Sequence, residues 1–182
     1  MIPLPEAVRE ALEEPWRPVG TAGLVATSLG FGVLILAALL GEQGWVPLVD
    51  GANLLFHEAG HPLLGLLGWE TLTILGGTLM QLLVPLLVGG SFWLRRDAYG
   101  TAVAGVWGFE NLLNIARYLA DARAQVLPLV GGGEHDWTAL LSRWGCLAQD
   151  TGIAQVVRGF GWLGMLACWT WLVWRWFVSQ RG

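Results

Sequence analysis

His57-Glu58-Ala59-Gly60-His61 carries the clearest chemistry in this chain. On a helix, residues four apart share a face, so both imidazoles can hold one metal ion. Glu58, beside the first histidine, is then placed as general base toward a water activated by that ion. Zinc is the ion this donor pattern suits. The pentapeptide lies in an apolar stretch, where a bare His-Glu-His cluster is expensive to keep without a purpose. Gly60 leaves room beside the helix, and Pro62 loosens the hydrogen bonding after it.

A catalytic zinc site takes three protein ligands and leaves one position open. The sequence offers Asp121, His135 and, deeper in an apolar segment, Glu110 as the third. A carboxylate that is not a ligand can still orient a histidine through its second ring nitrogen. Asn111, Asn114 and Gln81 are amides in apolar segments, of the kind that bond one helix to another. Asp136 reads as the N-cap of a following amphipathic helix.

The elements that must position these residues are membrane helices. Of 182 residues, 54% are hydrophobic and 13% charged, about half the charge of a soluble domain. The composition and length predict an all-α polytopic membrane protein forming a single domain over 1–182. A net charge of −4 points to no nucleic-acid partner. Cys146 and Cys168 have neither disulfide-framework nor metal-ligand spacing. The first eighteen residues are acidic and proline-containing, unlike a cleavable signal peptide, and read as a cytoplasmic segment with a short amphipathic helix at 6–14.

About five spans follow: 19–40, roughly 46–67 with the histidines, 76–94, 98–123 and 159–178. Between the second and third, Thr71, Leu72, Thr73 and Ile74 alternate polar and apolar. That period of two predicts a short strand. The fourth span carries a polar stripe, Glu110, Asn114, Arg117 and Asp121, expected to face protein or water. Residues 124–150 read as a loop and an interfacial helix, with Pro128 and three glycines in 128–136 and an apolar face at Trp137, Leu140, Leu141, Trp144 and Leu147. The loop 128–136 is expected to be mobile. Trp169, Trp171, Trp174 and Trp176 suit an interfacial aromatic belt. Five crossings put the N-terminus, 69–75 and 122–158 on one face, which arginine counts make the cytoplasmic one.

The pattern over 46–123, the expected catalytic core, resembles the site-2 protease group of intramembrane zinc metalloproteases. In that family HExxH lies on one membrane helix, a β segment follows, a small-residue motif with Asn opens the next helix, and a later helix supplies Asn and an Asp ligand. The corresponding pieces are 57–61, 70–75, Gly76 to Gln81, and Asn111-Leu112-Leu113 with Asp121. Gly77-Thr78 and Gln81 stand where the family has a Gly-Pro-and-Asn element, and Asp121-Ala122 where it has Asp-Gly. The resemblance implies a zinc endopeptidase of the bacterial inner membrane that cuts membrane-anchored proteins within the lipid bilayer. It further implies a membrane-inserted β segment whose residues Thr71, Leu72, Thr73 and Ile74 offer a free edge to substrate, and Asn111, Asn114 or Gln81 donating to the carbonyl oxygen as it becomes an oxyanion. Two alternatives use the same residues: a zinc hydrolase of lipid or lipid-linked amides, and a non-catalytic metal-binding membrane regulator. The oligomeric state is not set by the sequence.

Overall fold

A computed structural model describes residues 5–130 and 133–181. The expectations for the N-terminal segment and for the loop at 128–136 fall partly outside these, at 1–4 and at 131–132. The described chain is helical: α1 (Glu6–Glu13), α2 (Thr21–Leu40), α3 (Pro47–Gly65), α4 (Glu70–Leu94), α5 (Ala98–Ala120), α6 (Asp136–Arg143) and α7 (Asp150–Ser179). Three segments are long and apolar enough to cross a membrane: Thr21–Leu40, Glu70–Leu94 and Leu147–Ser179. The five spans expected from sequence are therefore not all present. α3 and α5 are helices of 19 and 23 residues, but Asp50, Asn53, His57, Glu58 and His61 on one, and Glu110, Asn111, Asn114 and Arg117 on the other, dilute their apolar character.

The β segment is also corrected. Thr71–Ile74 form the first turns of α4, among described residues that include no strand. Alternation over four residues is too short to outweigh the helical run that follows. The Thr73 hydroxyl donates to the Trp69 carbonyl at 3.2 Å, as threonines in helices do. No free strand edge exists there.

Cross-element bonds fix which helix ends lie together. The Arg17 amide donates to the Arg96 carbonyl at 3.0 Å, Tyr99 to the Gly20 carbonyl at 2.9 Å, and the Val19 amide to Ser179 Oγ at 2.9 Å. The start of α2, the α4–α5 turn and the end of α7 thus form one end. At the other end, the Arg117 guanidinium of α5 lies 5.0 Å over the Trp45 ring just before α3, and Arg143 of α6 bonds Glu70 at the start of α4. α2, α4, α5 and α7 alternate in direction, and α3 runs antiparallel to α4, with His57 meeting Gln81 and Gly60 meeting Gly76. The N-terminus therefore does not share an end with 69–75 and the 122–150 region, contrary to the five-crossing count.

Two clusters hold the helices together. Near the N-terminal end, Val19, Phe31, Ala102, Val106, Met165 and Leu172 join α2, α5 and α7. Gly161 and Gly164 of α7 let α5 approach closely, since a Cβ on Gly164 would lie 2.0 Å from Phe109 Cδ1. At the other end, Trp137, Leu140 and Leu141 of α6 pack on Ile115, Ala116 and Leu119 of α5. The apolar face expected at a membrane interface is thus turned into the protein, with Trp144 left exposed. The last span is longer than expected, running back through α7 to Asp150. Both cysteines are free. The outward faces of α2, α4 and α7 stay apolar, with Leu29 67%, Leu86 70% and Leu163 65% exposed, an arrangement suited to lipid contact.

Candidate metal centre

α3 and α4 form a tight antiparallel pair, closed by the turn at Gly68, whose φ of +72° favours glycine. Their crossing depends on having no side chains at the contact. A Cβ on Gly60 would stand 2.0 Å from the Gly76 carbonyl oxygen, and one on Gly77 would stand 2.5 Å from His57 Nε2. The expected room beside Gly60 is there, and Gly77 provides the matching space for the His57 ring.

That packing orients both imidazoles. His57 Nδ1 donates to Gln81 Oε1 at 2.9 Å, and His61 Nδ1 donates to the Thr73 carbonyl at 2.9 Å. Each ring is thereby fixed with Nε2 pointing to the same place, as metal-ligating histidines are fixed by their outer partners. There Asp136 Oδ2 lies 2.9 Å from His57 Nε2 and 3.4 Å from His61 Nε2. Two ring nitrogens and one carboxylate oxygen around a zinc ion at about 2.0–2.1 Å would be about 3.3 Å apart along tetrahedral edges. The three donor atoms lie within 4.8 Å of one another, so the residues fit such an ion.

Asp136 is the first residue of α6, and its position has visible causes. α6 is docked by its apolar face. His135 caps it, with Nδ1 accepting from the Thr138 amide at 3.4 Å, and stacks on Tyr118 with ring centroids 4.1 Å apart. The Asp136 amide donates to the Tyr118 hydroxyl at 3.2 Å. Burial pushes the Asp136 carboxyl up, but the hydrogen bonds from His57 and His61 outweigh it and hold it below the ordinary carboxylate range. It is ionised and available as a ligand at neutral pH. Burial holds His135 below the usual imidazole value, which keeps it neutral.

The expected third ligands are placed elsewhere. Asp121 accepts from the amides of Val126 at 2.9 Å and Leu127 at 3.1 Å, closing the turn after α5. His135 Nε2 lies 3.5 Å from Asp121 Oδ2 and serves as the cap and stacking partner just described. Glu110 is about three helical turns inside the end of α5, where Asn53 donates to it at 3.0 Å. Asp136 joins the histidines in their place.

Glu58 lines a cavity of about 890 Å³ together with His57, His61 and Asp136. Gln81 and Asn114 line it too, and Gln81 Nε2 is buried without a partner among the described residues. Asn111 does not line it; its amide donates to the Trp107 carbonyl at 3.2 Å. Thr73 and Ile74 contribute to the wall as helical residues, while Thr71 and Leu72 are part of the same first turns.

From sequence, Asp136 reads only as a helix cap, although His135 occupies that position, and neither Tyr118 nor the Thr73 carbonyl is given a role. The signal for Asp136 was a carboxylate opening a short helix whose apolar stripe had to dock somewhere. No family model, curated protein or solved structure matches this chain, so its chemistry is read from the site itself.

Proposed function

We propose that this protein is a zinc-dependent peptidase embedded in a membrane, acting on membrane-anchored protein substrates. The observation that carries the reading is the convergence of His57, His61 and Asp136 on one point, with Glu58 lining the same cavity. The resemblance of the 57–61 motif and its apolar setting to site-2 proteases supports the same activity. Leu54, Ile74 and Leu129 give the cavity apolar walls, as an apolar substrate requires.

A bound zinc ion would polarise the scissile carbonyl and lower the pKa of water toward about 7. The protein supplies the rest. Glu58 accepts the proton lost by water as its oxygen attacks the carbonyl carbon. The same carboxyl returns that proton to the amine as the C–N bond breaks. Gln81 Nε2 and the Asn114 amide are donors available to the oxygen that gains charge. With an ion in place of the Nε2 protons that now face Asp136, the Nδ1 bonds to Gln81 and Thr73 would keep both imidazoles in the tautomer that presents Nε2.

Orientation follows from the helix ends. Arg9, Arg17, Arg95, Arg96, Arg175 and Arg181 belong to the N-terminal end, six of the ten basic residues. The positive-inside tendency favours that end in the cytoplasm, and with it the metal centre toward the opposite face of a bacterial inner membrane.

Replacing Glu58 by Gln tests the reading. The variant is expected to bind zinc as the wild type does and to lose roughly 10²–10⁴-fold in turnover of membrane-spanning peptides. Undiminished turnover, or no turnover by the zinc-loaded wild type, would remove the peptidase reading.

A further inference from the structure

Among the residues lining the cavity are five carboxylates, Glu42, Glu58, Glu70, Glu134 and Asp136, and a single arginine, Arg117. Glu70 is engaged by Arg143 and Asp136 by the two histidines. Arg117 makes no ion pair with any described residue. Its Nε is buried and has no hydrogen-bond partner there. An arginine nitrogen in that condition costs free energy, so a purely structural arginine is normally satisfied.

The side chain is nevertheless held in place. Its guanidinium lies 5.0 Å over the Trp45 ring, a contact that fixes the plane of the group and leaves its N–H edges unused. Arg117 lines the same cavity as Glu58, His57, His61 and Asp136. A fixed guanidinium with free edges, lining the same cavity as the candidate metal ligands, matches the planar two-oxygen geometry of a carboxylate.

Building on the peptidase reading above, we propose that Arg117 is a specificity residue that binds a substrate carboxylate within the cavity that holds the candidate metal ligands. The carboxylate comes either from an acidic side chain or from the free C-terminus of the substrate. In the first case the enzyme cuts within a chain beside Asp or Glu; in the second it trims residues from the end.

Four apolar helical peptides in detergent micelles separate the cases: one carrying Glu near its centre and its Gln counterpart, both C-terminally amidated, and one lacking acidic residues with either a free or an amidated C-terminus. Binding is read by fluorescence anisotropy on zinc-loaded Glu58→Gln protein, and kcat/KM on the zinc-loaded wild type. The expected result is a preference of roughly ten- to a hundredfold for the acid over the amide in one pair, the size of a hydrogen-bonded charge. The pair that shows it identifies the source. Arg117→Ala should abolish the preference, and Arg117→Lys should keep part of it. Equal binding of acid and amide by otherwise unaltered protein would overturn the proposal without needing any Arg117 variant, as would a preference that survives Arg117→Ala. Preferential binding with no cleavage of any peptide would end the peptidase reading and leave the carboxylate site standing.

Discussion

The two ends of this helical bundle are built on opposite principles. At the N-terminal end, Trp16 packs edge-on against Trp93 at 4.9 Å and Trp171 at 5.1 Å, and Arg96 and Arg175 lie 5.2 and 5.1 Å over its ring. Arg96 adopts a left-handed backbone with φ of +53°, and its guanidinium bonds the carbonyls of Ala11 and Leu12. Aromatic packing and backbone bonds close that end. At the metal end, glycines replace side chains at the α3–α4 crossing, a cavity replaces packing, and Gln81 Nε2 and Arg117 Nε lack partners. Arg175 Nε at the N-terminal end also lacks a partner among the described residues, but only at the metal end do such unpaired atoms belong to residues that line a cavity.

That division makes the two ends separable by mutation. Gly77→Val should have the largest effect on metal binding. Even a Cβ there meets the His57 ring, so the imidazole must move and zinc affinity is expected to fall more than about a hundredfold, with the helical content of the protein retained. Competition with a zinc-binding dye measures this, and unchanged affinity would mean that His57 is not held where the packing puts it. Gln81→Leu removes the partner of His57 Nδ1 while keeping similar volume. Its expected cost is roughly 10–100-fold in zinc affinity, readable in the same titration. Trp16→Ala should leave zinc affinity unaltered and lower stability by about 2 kcal/mol through its two aromatic contacts and lost burial. A thermal melt of the metal-free protein would show it. A loss of metal binding in Trp16→Ala would break the proposed independence of the two ends.

The parts of this molecule legible in the sequence are those set by local spacing. His57 and His61 share a helical face because they are four apart, and Gly60 signalled a close helix contact that Gly76 completes. α1, α2 and the apolar run of α4 follow from composition. The misplaced parts depend on contacts distant in sequence. Asp136 reaches the histidines only because Trp137, Leu140 and Leu141 dock α6 on α5, 79 residues from His57. Asp121, one residue beyond α5, had the right charge and a suitable position in the chain, yet the amides of Val126 and Leu127 take its oxygens. The alternation at Thr71–Ile74 carried a strand pattern too short to compete with helix propagation. The five-span count failed because α3 and α5 carry polar residues along their length, so that among the described residues three segments are apolar enough to cross a membrane.

The most direct test of the central claim is zinc stoichiometry by elemental analysis of the purified protein, comparing wild type with Asp136→Ala and Asp121→Ala. The structure predicts about one zinc per chain in the wild type, retained in Asp121→Ala and lost in Asp136→Ala. Zinc retained by Asp136→Ala and lost by Asp121→Ala, or no zinc in the wild type after loading, would contradict it.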